Sequence, residues 1–428
     1  MSSEDWPEVR LGDHVDLLTG FPFKSAEFTD NSQDVPLVRG DNVVQGCFRW
    51  DGVRRWPRGD IDAYTGYLLE SGDVILAMDR PWIEAGLKYA VVTPQDRPCL
   101  LVQRVSRLRG INGLSTRFLR YVIGSPAFTG HVLAVQTGTA VPHISGRQIA
   151  EFRFTLPPLA EQERIAETLG ALDEKIEMTR RLSHTLESIA RATFSSWFVD
   201  FDQVHQKMER REVQLPPDLA ELFPASFVES GLGPIPEGWT AGCLADVAFL
   251  NPESWSQRTK PEFIQYLDLS NAKWGRIESL SMYQRGDAPS RAQRVLKVGD
   301  TIVGTVRPGN GSYALIAEDG LTGSTGFAVL RPRERAYREI VYLAATASEN
   351  IVSMAHLADG GAYPAIRPEA VASTALALPP PATAVAFSEL TAPLLARIAC
   401  DERGSRTAAA LRDSLLVELL PDASRGRS

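Results

Sequence analysis

Residues able to do covalent or metal chemistry are present in this chain, but not in working arrangements. Six histidines (His14, His131, His143, His184, His205, His356) are scattered without the spacing of a ligand pair. Four cysteines (Cys47, Cys99, Cys243, Cys400) lie far apart with no Cys-x-x-Cys pair, which argues against a zinc site and against a disulfide scaffold. A carboxylate-x-Lys arrangement of nuclease type occurs only at Asp173-Glu174-Lys175, inside a heptad-patterned segment where a solvated helix face accounts for it. There is no Gly-x-x-x-x-Gly-Lys-[Ser/Thr] loop, no His-Glu-x-x-His and no Gly-x-Ser-x-Gly turn. The Asn-Pro-Glu-Ser run at Asn251 is a poor match to an Asp-Pro-Pro-Tyr-type methyltransferase motif. No catalytic constellation results, and the chain is expected not to be an enzyme. What remains is the chemistry of contact, with Arg80 and Arg307 as its leading candidates, since a guanidinium suits base edges and phosphates alike.

Those two arginines close matching stretches. Gly72–Pro81 reads GDVILAMDRP and Gly299–Pro308 reads GDTIVGTVRP, 227 residues apart. A second pair, Thr137–Leu159 and Asp359–Pro381, lies 222 apart and aligns Gly138 with Gly360, Pro142 with Pro364 and Ile144 with Ile366. A weaker third pair, Trp6/Trp239, Leu11/Leu244 and Asp13/Asp246, is offset by 233. The order of landmarks is the same in both halves, and the drifting offset is what loop insertions and deletions between duplicated modules produce.

Each half opens with about 150 residues of short apolar runs, such as DVILAM, KYAVVT, DTIVGTV and GFAVLRP, bounded by turn residues; these predict strands. Each half then ends in a proline pair followed by a long helix. In the first helix Ile165, Leu169, Leu172, Ile176, Thr179, Leu186, Ile189 and Thr193 step by four and three, with Leu182 near the missing step; the second repeats the seam loosely at Leu394, Ile398, Leu411, Leu415 and Leu419. The expected fold is therefore α+β: two β-rich modules joined by two long antiparallel coiled-coil helices with pseudo-twofold symmetry. The alternative is that each helix packs on its own module. The expected limits are 1–155 and 236–378 for the modules, 156–200 and 379–420 for the helices, 201–235 for a polar, proline-punctuated connector and 421–428 for a tail.

A length of 428 residues suggests two or three domains. The net charge of −8 is concentrated at 156–235, which holds 8 Lys+Arg against 14 Asp+Glu; 1–155 holds 17 against 18 and 236–378 holds 14 against 15. A basic face fits within such near-neutral halves, so charge does not exclude a polyanionic partner. The acidic N-terminus lacks the features of a secretory signal, and no run approaches the uninterrupted apolar length of a membrane helix, so the expected address is the cytoplasm.

The runs LPPLAEQERIAETLGALDEKIE (Leu156–Glu177), SSWFVDFDQV (Ser195–Val204) and LGPIPEGW (Leu232–Trp239) closely resemble type I restriction-modification specificity subunits. DRPCLLVQRVSRLRG and the Gly-Asp…Arg-Pro strands look like the target recognition domains of that family, and the resemblance extends over essentially the whole chain. It implies that the two modules are target recognition domains, each reading one half of a bipartite, asymmetric double-stranded DNA sequence, with the helices as spacer. It further implies partnership with two methyltransferase subunits and with restriction or translocase subunits. S-adenosylmethionine, ATP and Mg2+ would be used by those partners and no cofactor held by this chain.

Each candidate residue has two explanations in the sequence. Arg80 and Arg307 contact DNA, or are solvated strand-end charges before a proline. The differing residues inside the shared frame, Met78 and Asp79 against Thr305, are where two sequences would be read. Thr137, Gly138 and Thr139, with Gly360 and Tyr363 opposite them in the repeat, form a DNA-approaching loop or a tight turn. Arg54 and Arg55 lie in a basic-aromatic stretch suited to nucleic acid or to an ordinary exposed loop; Lys273 and Arg276 hold a comparable place, and Asn310 follows Arg307. Glu161 and Gln162 match the family's helix entry and are candidates for partner contact, or cap the first turn. In the second half Thr383 and Ala384 stand in their place, so the two docking surfaces differ. Trp197 and Phe198 pack in a core or meet a partner.

Overall fold

Val74–Ala77 illustrates how the β-rich modules form. Its run Val-Ile-Leu-Ala is buried along its whole length. Alternate residues feed two cores: Val74 and Leu76 pack with Phe118, Phe128 and Ile144, while Ile75 and Ala77 pack with Val43, Ala90 and Val105. In the computed structural model, which describes residues 6–83, 86–138, 141–358 and 364–420, this strand is the centre of a five-stranded sheet. The spatial order is Val15–Thr19, Val105–Gly110, Val74–Ala77, Tyr89–Val91, Gln45–Gly46. The second module places Ala248–Leu250, Phe327–Pro332, Thr301–Gly304 and Tyr313–Leu315 in the corresponding order. Each module also pairs its first strand with its last, Glu8–Arg10 with Arg153–Thr155 and Thr240–Cys243 with Ala375–Leu378, both antiparallel. The repeat in the sequence is thus a repeat of topology, within an α+β architecture of two units.

The compact units are Met1–Ile176 with Arg406–Ser428, and Glu177–Ser405, so the division falls inside both long helices, Leu159–Phe198 and Pro381–Leu419. At 1.5 Å per residue each helix is roughly 60 Å long. In the first unit Ile165 and Leu169 are fully buried, and Asp173 receives Arg120 at 2.5 Å, Tyr121 at 2.9 Å and Arg412 at 2.9 Å. In the second, Phe194, Trp197 and Phe198 pack against Phe387, with Phe223 and Trp239 completing the aromatic cluster. Residues 201–235 pack into that core: Val204, Phe223 and Ile235 are buried in it, and Phe227–Ser230 pairs with Gly233–Pro236 in a hairpin.

The helical seam departs from the heptad expectation. Burial follows Ile165, Leu169 and Ile176 as expected, then moves to Ser183, Ala190, Phe194 and Trp197, leaving Leu182 and Ile189 exposed. A straight helix of 3.6 residues per turn drifts against a 3.5-residue repeat, and one four-residue step absorbs the drift. Over part of its length Pro381–Leu419 is long and apolar enough to cross a membrane, but Ala384, Phe387, Thr391 and Leu395 are buried in the second unit.

Candidate nucleic-acid interface

In both units the Gly-Asp…Arg-Pro frame divides into scaffold and presentation. Gly72 and Gly299 have φ of 93° and 94°, a conformation that glycine adopts without strain. Asp73 grips Arg109 with both carboxylate oxygens at 2.5 and 2.9 Å, and Asp300 grips Arg331 likewise at 2.8 and 2.8 Å. Glycine and aspartate therefore build the turn. At the far end Arg80 and Arg307 are left-handed, with φ of 44° and 47°. Their backbone N–H groups donate to Pro142 O at 2.6 Å and Pro364 O at 2.8 Å. Ile144 and Ile366 donate in turn to Met78 O and Thr305 O, both at 2.9 Å. The two most similar stretches of each half thus meet, and both guanidinium groups are left at the surface.

In the first unit Arg80 borders a cleft of about 540 Å³ that also contains Arg39, Lys88 and Arg104. The Lys88 ammonium donates to Gly40 O. Burial pulls its pKa below the ordinary lysine value; Asp41 opposes this, and the nearby positive charges of Arg49 and Arg80 add to it. Such a cluster gains from an anion, because a phosphate relieves the repulsion among the cations. Beside it Asp79 bridges two groups, accepting from His143 Nδ1 at 2.6 Å and from Arg104 at 2.7 Å. Burial raises the Asp79 pKa, but these two hydrogen bonds more than offset it and leave the carboxyl below its usual range.

In the second unit the turn after Arg307 carries Asn310 and Gly311. The Trp274 ring lies against Gly311, where a Cβ would come within 2.5 Å of the indole, and Trp274 N–H donates to Gly311 O at 2.7 Å. Trp274 is 55% exposed at the tip of a two-residue pairing of Lys273 with Arg276. An exposed indole flanked by cations is a surface suited to nucleic acid.

The other sequence candidates have varied placements. Met78 and Thr305 are buried: the thioether of Met78 accepts from Ser106 Oγ, and Thr305 Oγ1 donates to Gly326 O at 2.8 Å. Of Met78 and Asp79, the differing frame residues of the first unit, Asp79 is the one that reaches the cleft. Arg54 pairs with Asp30 at 2.6 Å, Arg55 donates to Asp34 O, and Trp56 is buried beside Phe23, so that stretch is largely committed to its own module. Thr137 exchanges backbone hydrogen bonds with His143, and Gly138 has φ of 91°. Thr139, Gly360 and Tyr363 lie outside the described residues. Gln162 is fully buried, accepting from Ser115 N and donating to Gly113 O and Pro157 O, each at 2.8 Å. Trp197 and Phe198 are core residues, the packing alternative that the sequence held open for them, and Gln162 also turns inward. Glu161 stays near the surface, paired with Arg164. Lys88, Arg39 and Arg104 were not singled out from the sequence: they stand in different strands or loops, and only the fold gathers them. Among the described residues no group of three or more His, Cys, Asp or Glu could hold a metal.

Comparison with known proteins places this architecture. The fold matches a solved S subunit of a type I restriction-modification system from M. genitalium, with a TM-score of 0.55 over 98% of this chain and 96% of that one at 14% identity. Residues 3–188 match the type I restriction modification DNA specificity domain, and part of the chain is similar to type I specificity subunits. The EcoAI specificity subunit of Escherichia coli is 34% identical over 186 residues, and the MjaVIII specificity subunit of Methanocaldococcus jannaschii 33% over 185. Each match covers 43% of this chain, and they span 31% and 43% of those relatives' own length.

Proposed function

We propose that this chain is the non-catalytic DNA-sequence specificity subunit of a type I restriction-modification complex. Its two modules act as target recognition domains on a bipartite, asymmetric duplex site, and the long helices act as the spacer between half-sites. The observation that carries this reading is one backbone frame built twice and fitted with different surface side chains, which suits two heads reading two sequences. The partners are methyltransferase and restriction or translocase subunits, which supply the S-adenosylmethionine, ATP and Mg2+ chemistry. Glu161 is the surviving candidate for contact with them, and Arg80, Arg307, Asn310, Lys273 and Arg276 for contact with DNA. Thr139, Gly360 and Tyr363 remain candidates for DNA contact on the sequence alone.

The test is to express the chain with its cognate methyltransferase subunit in an unmodified host and sequence the methylated bases. One new bipartite methylated motif is expected. A soluble complex that leaves no motif would refute the reading, and methylation by this chain alone would make it an enzyme.

A further inference from the structure

Superposing the two frames by their hydrogen bonds separates what the modules share from what they do not. Met78 N–H donates to Arg104 O at 2.9 Å, and its counterpart Thr305 N–H donates to Gly326 O at 2.8 Å. Asp79 bridges to His143 across the strand end, and Val306 bridges to Ala365 in the same way. Arg104, Asp79 and His143 therefore occupy the positions of Gly326, Val306 and Ala365. The first unit carries a charged network where the second has no charged side chain. Leu269 closes the space at 326, since a Cβ there would come within 2.6 Å of its Cδ1.

The geometry points to Arg104 as a guanine-reading residue of the first unit, with Asp79 as its positioning residue and no counterpart in the second unit. This deepens the reading of the chain as a specificity subunit and rests on it. The Arg104 side chain is 67% exposed and is held at one end by Asp79, which fixes the direction of the planar fork. Its remaining N–H donors match the O6 and N7 acceptors of guanine in the major groove. A phosphate contact is the poorer match, because the Asp79 carboxylate abuts the guanidinium and repels a phosphate. The cation suited to phosphate is Arg80, which has no carboxylate ion pair among the described residues; it recurs as Arg307, as expected of a contact that carries no sequence information. Shared positions then hold the duplex, and unshared positions read it.

The test is selection by the purified full chain from a library of random 30-base-pair duplexes, repeated with Arg104→Gly, Asp79→Asn and Arg80→Ala. Arg104 has φ of 65°, which glycine accepts, so Arg104→Gly is expected to fold, as melting temperature will check. Wild type should return a two-part motif. Arg104→Gly should cut the preference for guanine at one position of one half by about tenfold or more and leave the other half unchanged. Asp79→Asn should weaken that same preference, and Arg80→Ala should weaken binding without altering the motif. An Arg104→Gly variant that keeps the wild-type motif, or loses affinity evenly for all sequences, overturns the inference and leaves the specificity reading standing. A folded wild-type chain that returns no motif overturns both.

Discussion

Asp73 holds Arg109 through both of its carboxylate oxygens, with its side chain only 3% exposed, and Asp300 repeats the grip on Arg331 with 1% exposed. The aspartate of the repeated Gly-Asp pair is therefore a structural residue. Removing one partner strands a guanidinium inside the module, although Glu70 and Glu253 stand near enough to share the charge. Asp73→Ala and Asp300→Ala should each cost about 3 kcal/mol. Urea unfolding midpoints measure this, and an unchanged midpoint would contradict the assignment.

Arg80 and Arg307 differ from those aspartates in having exposed charged ends. Each Arg→Ala change should lower affinity for duplex DNA and reduce the slope of log K against log salt by about one. Titrations at several salt concentrations check this. A slope that does not move would remove the residue from the phosphate contacts.

Gln162 matches a helix entry expected to meet a partner, yet its three hydrogen bonds are all internal. Gln162→Ala should destabilise the first unit by about 1–3 kcal/mol. Any loss of methyltransferase recruitment should follow melting temperature; a folded, equally stable variant that fails to recruit would restore the docking role.

Asp79 links stability to pH. Its carboxyl lies below the ordinary 3.8 because the bonds from Arg104 and His143 outweigh burial. A depressed folded-state pKa contributes stability that is present above the unfolded value and lost as pH falls through the folded one. The melting-temperature gap between wild type and Asp79→Asn should therefore close below about pH 4. A gap independent of pH down to about 2.5 would contradict it.

The spacer role predicts a separation of effects. Four residues inserted near the exposed Met178 lengthen the helix by about 6 Å, close to two base-pair rises. The gap in the methylated motif should change while the half-site bases stay the same. Altered bases with an unaltered gap would refute the helix as ruler.

Much of this architecture was legible in the sequence because the scaffold residues of the repeat are local. Gly72, Asp73 and the apolar strand lie consecutively, so their recurrence at Gly299 and Asp300 is visible by eye. The charged cleft was not legible, because Asp79, Arg104 and His143 are brought together across 25 and 64 residues of chain. Met78 and Thr305 look as exposed as their neighbours in a linear frame, and only the packing around the strand ends shows that they are buried. For Trp197 and Phe198 the sequence leaves core and partner both open, and Phe223, Trp239 and Phe387 folded onto them decide for the core.

Leu269, filling the space beside Gly326, also constrains how this protein can change over generations. Any side chain introduced at 326 must move the end of the half-buried Leu269 side chain, so a residue acquired there is felt at 269 as well. A smaller residue at 269 would remove that contact. Changes at the two positions are therefore expected to be coupled rather than independent.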